Sequence, residues 1–262
     1  MKLSLALILL LAAPLQADWR KDLAPAKPGG HPKPDPMVLA YDLSWKGMVN
    51  AGSLTFSFGL PDPKHPGTYN VTVNGGSTGV ASKLFPYKVY LNSNLDPSTL
   101  RPRSFKGVEI EGDEITTSTS TFTGNSVKNT ERNRPDKKSP ERKYDTEFKF
   151  GPTFDAASAI LHVRSHPLKD GDTLKYAFVP INSPYLVTAK VLGREQHQGR
   201  PAIKLSINMR KINPKTFELL PYKKLKSATL WISDDADRIP LEIRSEVFIG
   251  DVRMTLKRMQ KR

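Results

Sequence analysis

The 262-residue sequence contains no cysteine. That absence removes disulfides, thiolate-bound zinc, iron–sulfur clusters, a cysteine nucleophile and a lipid-modified N-terminal cysteine. Acidic residues are short relative to basic ones, 26 against 40, which leaves a formal net charge of +14. Aromatic residues reach only 8%, yet the hydrophobic share of 38% is enough for a packed core and argues against wholesale disorder. Alternating strand–helix units, the pattern of doubly wound and barrel α/β enzymes, are missing. So is any apolar run of membrane-spanning length: the longest, residues 3–13, has 11 residues, where a spanning helix needs about 20.

What is present begins with that run. Met1-Lys2 is a short positive start, Leu3 to Ala13 is apolar, Pro14 breaks it, and Ala17 offers a small residue before a cut. This is the pattern of a secretory signal peptide over 1–17, with the mature chain starting near Asp18. An exported, cysteine-free chain fits the envelope of a Gram-negative-type bacterium, periplasmic or secreted. Residues 18–37 carry prolines 25, 28, 32, 34 and 36 with Gly29-Gly30, and read as an extended, disordered linker that buries nothing.

From residue 38 to 262 apolar residues recur with a period of two. Leu39, Tyr41, Leu43 and Trp45 alternate with smaller or polar residues, as do Leu54, Phe56 and Phe58, and Tyr69, Val71 and Val73. Each reads as a strand with one buried face. The same rule marks 87–91, 115–122, 144–150, 174–178, 185–191, 203–209, 228–232, 241–249 and 252–256, the last two joined through Gly250-Asp251. One segment has helical spacing: Asp155 caps it, and Ala156, Ala159, Ile160 and Val163 fall on one face, with Pro167 ending it. The expected fold is therefore mainly β, a single domain of antiparallel strands in a strongly curved sheet, half-barrel or sandwich, with one buried helix at about 155–165. Residues 128–143 hold seven basic and three acidic residues without apolar period, and read as an exposed loop.

Candidate chemistry is sparse. Gly75-Gly76-Ser77-Thr78-Gly79 matches the G-x-S-x-G nucleophile elbow, but the elbow needs a parallel sheet, so the segment reads as a turn. His162 and His166 are four apart on the expected helix, yet no third ligand is near and Val163 stands where a metalloprotease has glutamate; a helix-end role beside the last carbonyls fits better. Asp234, Asp235 and Asp237 crowd one turn without the ligand spacing or glycine of a calcium loop, and read as an Asp-rich turn paired with Arg238. No catalytic, metal or cofactor constellation is expected. Charge is the stronger signal: 210–226 has six basic residues against Glu218 alone, and Lys223, Lys224 and Lys226 are candidate anion contacts. Nucleic acid is disfavoured, because no basic motif interleaved with aromatics appears.

The segment Ala228 to Leu241, with Trp231, Ser233, Asp234, Asp235, Arg238 and Pro240, resembles the signature of the bacterial family called domain of unknown function 3108. Tyr41, Trp45, Gly47 and Ala51-Gly52 resemble its opening hairpin. Phe154-Asp155 through Arg164, with Pro167-Leu168 and Gly171-Asp172, is similar to its helix and strand entry, and Val191 to Glu195 to the next strand end. The resemblance runs from about Val38 to Met259 and implies an envelope protein without assigned activity or catalytic residues. A curved sheet around a helix is also similar to the lipoprotein-carrier fold, a fold-level analogy. The leading expectation is a non-enzymatic carrier or assembly factor for an apolar or amphiphilic envelope ligand. Alternatives are a basic module for acidic glycans or lipopolysaccharide and, last, a hydrolase using Ser77 or Asp235.

Overall fold

The computed structural model describes residues 18–223, 225–247 and 250–262, with backbone alone at 226 and 247. The expected signal peptide lies outside the described residues. Sixteen strands form one sheet: β1 (Met37–Trp45), β2 (Val49–Phe58), β3 (Tyr69–Ser77), β4 (Tyr87–Leu95), β5 (Pro102–Glu111), β6 (Glu114–Thr123), β7 (Ser126–Arg134), β8 (Arg142–Phe148), β9 (Thr153–Phe154), β10 (Thr173–Phe178), β11 (Tyr185–His197), β12 (Arg200–Ile212), β13 (Leu219–Pro221), β14 (Leu225–Ser233), β15 (Pro240–Val247) and β16 (Gly250–Lys261). Helix α1 (Gly79–Leu84) lies between β3 and β4, and α2 (Ala156–Ser165) follows β9.

The order is β8-β7-β6-β5-β4-β3-β2-β1-β16-β15-β14-β12-β11-β10-β9, with β13 pairing on β12. Neighbours are antiparallel except for the short β9–β10 pair. The sheet curls until its two ends meet without a ladder between β8 and β9. Val127, Phe148 and Phe150 from one end pack with Ala177, Val179, Leu186 and Ile212 from the other, and Asn129 Nδ2 donates to the Ile181 carbonyl at 2.9 Å. The expected mainly β, strongly curved sheet around one buried helix is the fold observed.

Antiparallel running sets up two rims. One carries the connections 45–49, 77–87, 111–114, 134–142 and 212–225; the other carries 58–69, 197–200 and 233–240. Helix α2 sits in the concavity. Asp155 caps it by accepting from Ser158 N at 2.8 Å, while Ser158 Oγ accepts from Asp155 N at 2.9 Å, a reciprocal cap that satisfies orphan amides. Leu161 packs with Leu39, Tyr41 and Tyr69, while Ala159 and Val163 pack with Phe154, Tyr176 and Ile203. The helix thus stitches two apolar clusters together.

Three expectations need correction, and one strand was unread. Residues 128–143 are largely strand: β7 and β8 occupy most of the segment. Their apolar period is absent because the inner face there is polar, with buried Asn129 donating to Ser120 Oγ at 2.8 Å. Strand β5 went unread for a related reason, since its inward positions are Phe105, Gly107 and Glu109, a broken apolar series. The Gly75–Gly79 stretch is not a turn but the end of β3 and the start of α1. The leader 18–37 is packed: Trp19 is buried and donates Nε1 to the Phe217 carbonyl at 2.7 Å. Farther on, Gly29 N donates to Ser165 Oγ at 2.8 Å, and Tyr69 Oη to the Pro34 carbonyl at 2.9 Å. Prolines lack amides but keep carbonyls, and the body of the protein supplies the donors.

Candidate ligand cavity and signature turn

The concave face of β1–β5 does not close completely on α2. Between them lies a cavity of about 330 Å³, at the lower end of the roughly 300–1,000 Å³ common for small-molecule sites. Its walls are alternate residues of successive strands: Leu43 from β1, Leu54 and Phe56 from β2, Val71 and Val73 from β3, Val89 and Leu91 from β4, and Phe105 from β5. Ala156, Ala157 and Ile160 of α2 close one side. Small residues on the helix, Ala156 and Ala157, make the space, while Gly107 on β5 is covered by its neighbours, since a Cβ there would meet the Phe105 ring and Leu91 Cδ2 at 3.1 and 3.2 Å.

Polar groups are few and paired. Tyr87 Oη donates to Glu109 Oε1 at 2.6 Å. Burial, then this carboxylate, pushes the Tyr87 hydroxyl well above the usual phenol range, so it stays protonated as a donor. Ser93 Oγ donates to the capping carboxyl of Asp155, which is fully buried. Burial pushes Asp155 above the usual carboxylate range against the hydrogen bonds from Ser93 and Ser158. The end of the cavity away from the helix is formed by Leu43, Tyr87 and Glu109, each within two residues of a strand end at the 45–49/77–87 rim. Such a chamber can take an apolar chain and offer one acid–phenol pair to a polar head. Larger hollows of about 510 and 580 Å³ flank the leader and are lined in part by its own residues.

The residues that carried the family resemblance assemble elsewhere, at the opposite rim, and tie the turn 233–240 to the helix and leader. Ser233 Oγ donates to Asp235 Oδ1 at 2.7 Å and accepts from Ile239 N at 3.0 Å. Asp235 Oδ1 also accepts the amides of Asp237 and Arg238 at 3.0 and 2.9 Å. Burial acts to raise Asp235, but these hydrogen bonds prevail and hold its carboxyl below the usual range. Asp234 accepts from Arg194 Nε at 3.0 Å. Pro240 starts β15 and gives its carbonyl to Tyr41 Oη at 2.9 Å. The expected pairing of the aspartates with Arg238 is corrected: the guanidinium is spent on the carbonyls of Arg164, His166 and Pro167, the free end of α2. Arg164, which the sequence did not single out, is buried and reaches the carbonyls of Pro32 and Asp237, both at 2.7 Å. Burial lowers its guanidinium to about 10.

Trp231 lies on the face opposite Leu230 and Ile232. Its Nε1 donates to Glu195 Oε1 at 2.7 Å and its ring stacks on His197 with centroids 4.3 Å apart. Lys204 and Arg244 place cations 5.5 and 5.1 Å from the ring. This is a packed outer-face cluster rather than a pocket.

The other candidates are dispersed. Ser77 Oγ accepts from Tyr87 N at 2.9 Å, pinning the connection around α1. His162 and His166 face each other at 3.3 Å, with His162 wedged between Phe154 and Tyr176 rather than reaching the last helical carbonyls. Among the described residues no group of three or more metal-ligating side chains could hold an ion. Lys223 is exposed; Lys224 and the side chain of Lys226 lie outside the described residues. Sequence reasoning missed Glu109, whose signal was an acid at the same inward parity as Phe105, four residues earlier in β5.

Comparison with known proteins places this geometry. The family described as "protein of unknown function (DUF3108)" matches residues 40–257. No curated protein matches the chain by sequence. Among solved structures, a beta-barrel-like protein of domain of unknown function DUF1849 from Brucella abortus is similar, with a TM-score of 0.54 at 9% identity, covering 88% of this chain and 99% of that one. A protein from Bacteroides fragilis described as exported, with a YmcC-like fold, gives a TM-score of 0.32 at 10% identity over 89% of this chain and 100% of its own. The first likeness concerns the fold alone. No helix among the described residues is long and apolar enough to cross a membrane. With the family match spanning the sheet, the helix and the signature turn, the chain belongs to the DUF3108 family of proteins of unknown function.

Proposed function

We propose that this protein is a non-enzymatic carrier of the Gram-negative cell envelope, exported to the periplasm, that shelters the apolar part of an amphiphilic molecule. The observation that carries the reading is the cavity between β1–β5 and α2, walled by aliphatic and aromatic side chains and bearing the Tyr87–Glu109 pair at its outer end. Leaving such walls unfilled forfeits packing that a purely structural sheet would recover with larger residues than Ala156 and Ala157. The absence of an enzymatic role is supported by what the two hydrolase candidates do. Ser77 holds the Tyr87 backbone, and Asp235 holds its own turn.

Titration of the delipidated protein with the apolar fluorophore N-phenyl-1-naphthylamine tests this. A saturable rise in emission, reversed competitively by palmitate or lysophosphatidylglycerol, is expected. Emission that stays linear and unresponsive to either amphiphile would retire the proposal.

A further inference from the structure

Ten large hydrophobic residues are exposed among the described residues, and six of them sit in two adjacent connections of one rim. Trp45, Met48 and Val49 belong to the β1–β2 turn; Val80, Leu84 and Phe85 belong to α1 and its C-cap. Met48 is 80% exposed and Phe85 74%. The two connections touch: α1 follows Thr78, whose amide donates to the Ala51 carbonyl at 3.2 Å. Helix α1 has no buried residue at all, with Val80 and Leu84 one turn apart on it. A helix that buries nothing is not placed there by the core. Contiguous apolar surface held in water is costly, at about 25 cal/mol per Å², and marks a contact surface.

Charge identifies the partner. Lys46, Lys83 and Lys88 stand among these residues, and neither 45–60 nor 69–95 contains a single acid. Lys46 lies over the Trp45 ring at 5.2 Å, while Lys83 and Lys88 have no carboxylate partner among the described residues. The antiparallel path brings the tip of 134–142 and the basic 210–226 segment to the same rim. The acids at that rim are engaged in part: Asp113 pairs with Lys137 at 3.2 Å, Glu114 accepts from Asn133 at 2.6 Å, and Asp251, whose carbonyl accepts from Lys46 N, pairs with Arg253 at 2.6 Å. Exposed apolar side chains rimmed by lysines fit the interface of an anionic bilayer, where the apolar groups enter the acyl boundary and the ammonium groups meet headgroup phosphates.

We infer that the rim formed by the β1–β2 turn and α1 is a docking surface for anionic membrane. Tyr87, which lines the cavity, follows Phe85 by two residues, so the docked rim would present the cavity's outer end to the lipid. The inference goes beyond the carrier reading and stands apart from it, because docking requires no occupant in the cavity.

Cosedimentation of the mature chain with vesicles tests it. Vesicles of phosphatidylglycerol and phosphatidylethanolamine in equal parts are expected to pellet the protein, and phosphatidylcholine vesicles to pellet at least fivefold less. The double variant Leu84→Ser/Phe85→Ser should lose tenfold or more of the binding with an unchanged melting temperature, since neither side chain is buried. Lys83→Gln/Lys88→Gln should weaken binding to the anionic vesicles alone, as should raising the salt. Binding that survives loss of Leu84 and Phe85, or no pelleting with either vesicle, would overturn the inference. So would retention on heparin without vesicle binding, which would assign the rim to an acidic polysaccharide.

Discussion

Arg164 and Arg238 each donate to the other's backbone: Arg164 Nε to the Arg238 carbonyl at 3.4 Å, and Arg238 Nη1 to the Arg164 carbonyl at 3.0 Å. Two like charges are thus used not as ion-pair partners but as donors that close a helix end onto a turn. The carbonyls left over at the end of α2 are satisfied, and a cation beside a helix C-terminus is favourably placed. The residues of the 228–241 segment that carried the family resemblance become intelligible as this joint. Ser233 and Asp235 shape the turn, Arg238 sits at φ +44 to aim its side chain, and Pro240 starts the next strand.

The joint predicts coupled losses. Arg164→Ala and Arg238→Ala should each destabilise the protein by about 2–4 kcal/mol in urea unfolding, because several carbonyls lose charged donors at once. The double variant should cost clearly less than the sum, since both remove one shared arrangement. Arg164→Lys should rescue little, as an ammonium cannot span the Pro32 and Asp237 carbonyls together. Additive losses would contradict the joint.

The leader's docking rests on close approach at Gly29, where a Cβ would stand 2.2 Å from the Ser165 carbonyl oxygen. Gly29→Ala should lift the leader off α2 while leaving the sheet intact. Limited proteolysis should then cut within residues 25–36 at least about tenfold faster, with near-unchanged far-UV circular dichroism. Equal cutting rates would show that the leader does not depend on this contact.

Acid should destabilise the fold through His162. Burial first, and the neighbouring His166 second, lower its ring to about 4. The unfolded chain titrates near the usual imidazole value of about 6.5, so between about pH 6.5 and 4 it binds more protons than the folded protein. Stability therefore falls as pH drops through that window, by up to about 3 kcal/mol from this group. His166, also lowered by burial, acts in the same direction, while the raised Asp155 acts in the opposite one near the acid end. His162→Asn, which keeps an acceptor near Tyr176 but does not titrate, should flatten the slope. An unchanged slope would assign the acid sensitivity elsewhere.

The Tyr87–Glu109 pair should govern head-group preference rather than chain binding. Tyr87→Phe is expected to weaken an amphiphile with a polar head by about five- to tenfold, roughly 1–1.4 kcal/mol, and leave a plain hydrocarbon unaffected. Equal loss for both ligands would place the pair outside the binding site.

Much of the fold was legible because one-sided strands obey a strict parity. Leu39 and Tyr41, or Val71 and Val73, announce a buried face, and Asp155 with Pro167 bracket the helix. Where the inner face turns polar or small, parity has nothing to display. Gly107 and Glu109 hid β5, and Asn129 opposite Ser120 hid β7. The leader was hidden differently, since a proline-rich stretch docks through carbonyls, and their donors, Arg164 and Tyr69, lie more than thirty residues away in sequence. The cavity shared that fate. It lies between small residues of the helix and apolar residues of five strands, and Ala157 meets Leu54, Val73 and Phe105 only after the sheet has curled.

The central claim is that the space beneath β1–β5 holds an amphiphile, and Ala157 on its helical wall is the direct handle. Native mass spectrometry of the wild-type protein and of Ala157→Trp, both purified from envelopes, is the measurement. Wild-type protein is predicted to carry an adduct of lipid mass, released by organic solvent, and the filled variant to be free of it at undiminished thermal stability. A wild-type spectrum without adduct, or the same adduct on the filled variant, would contradict the account.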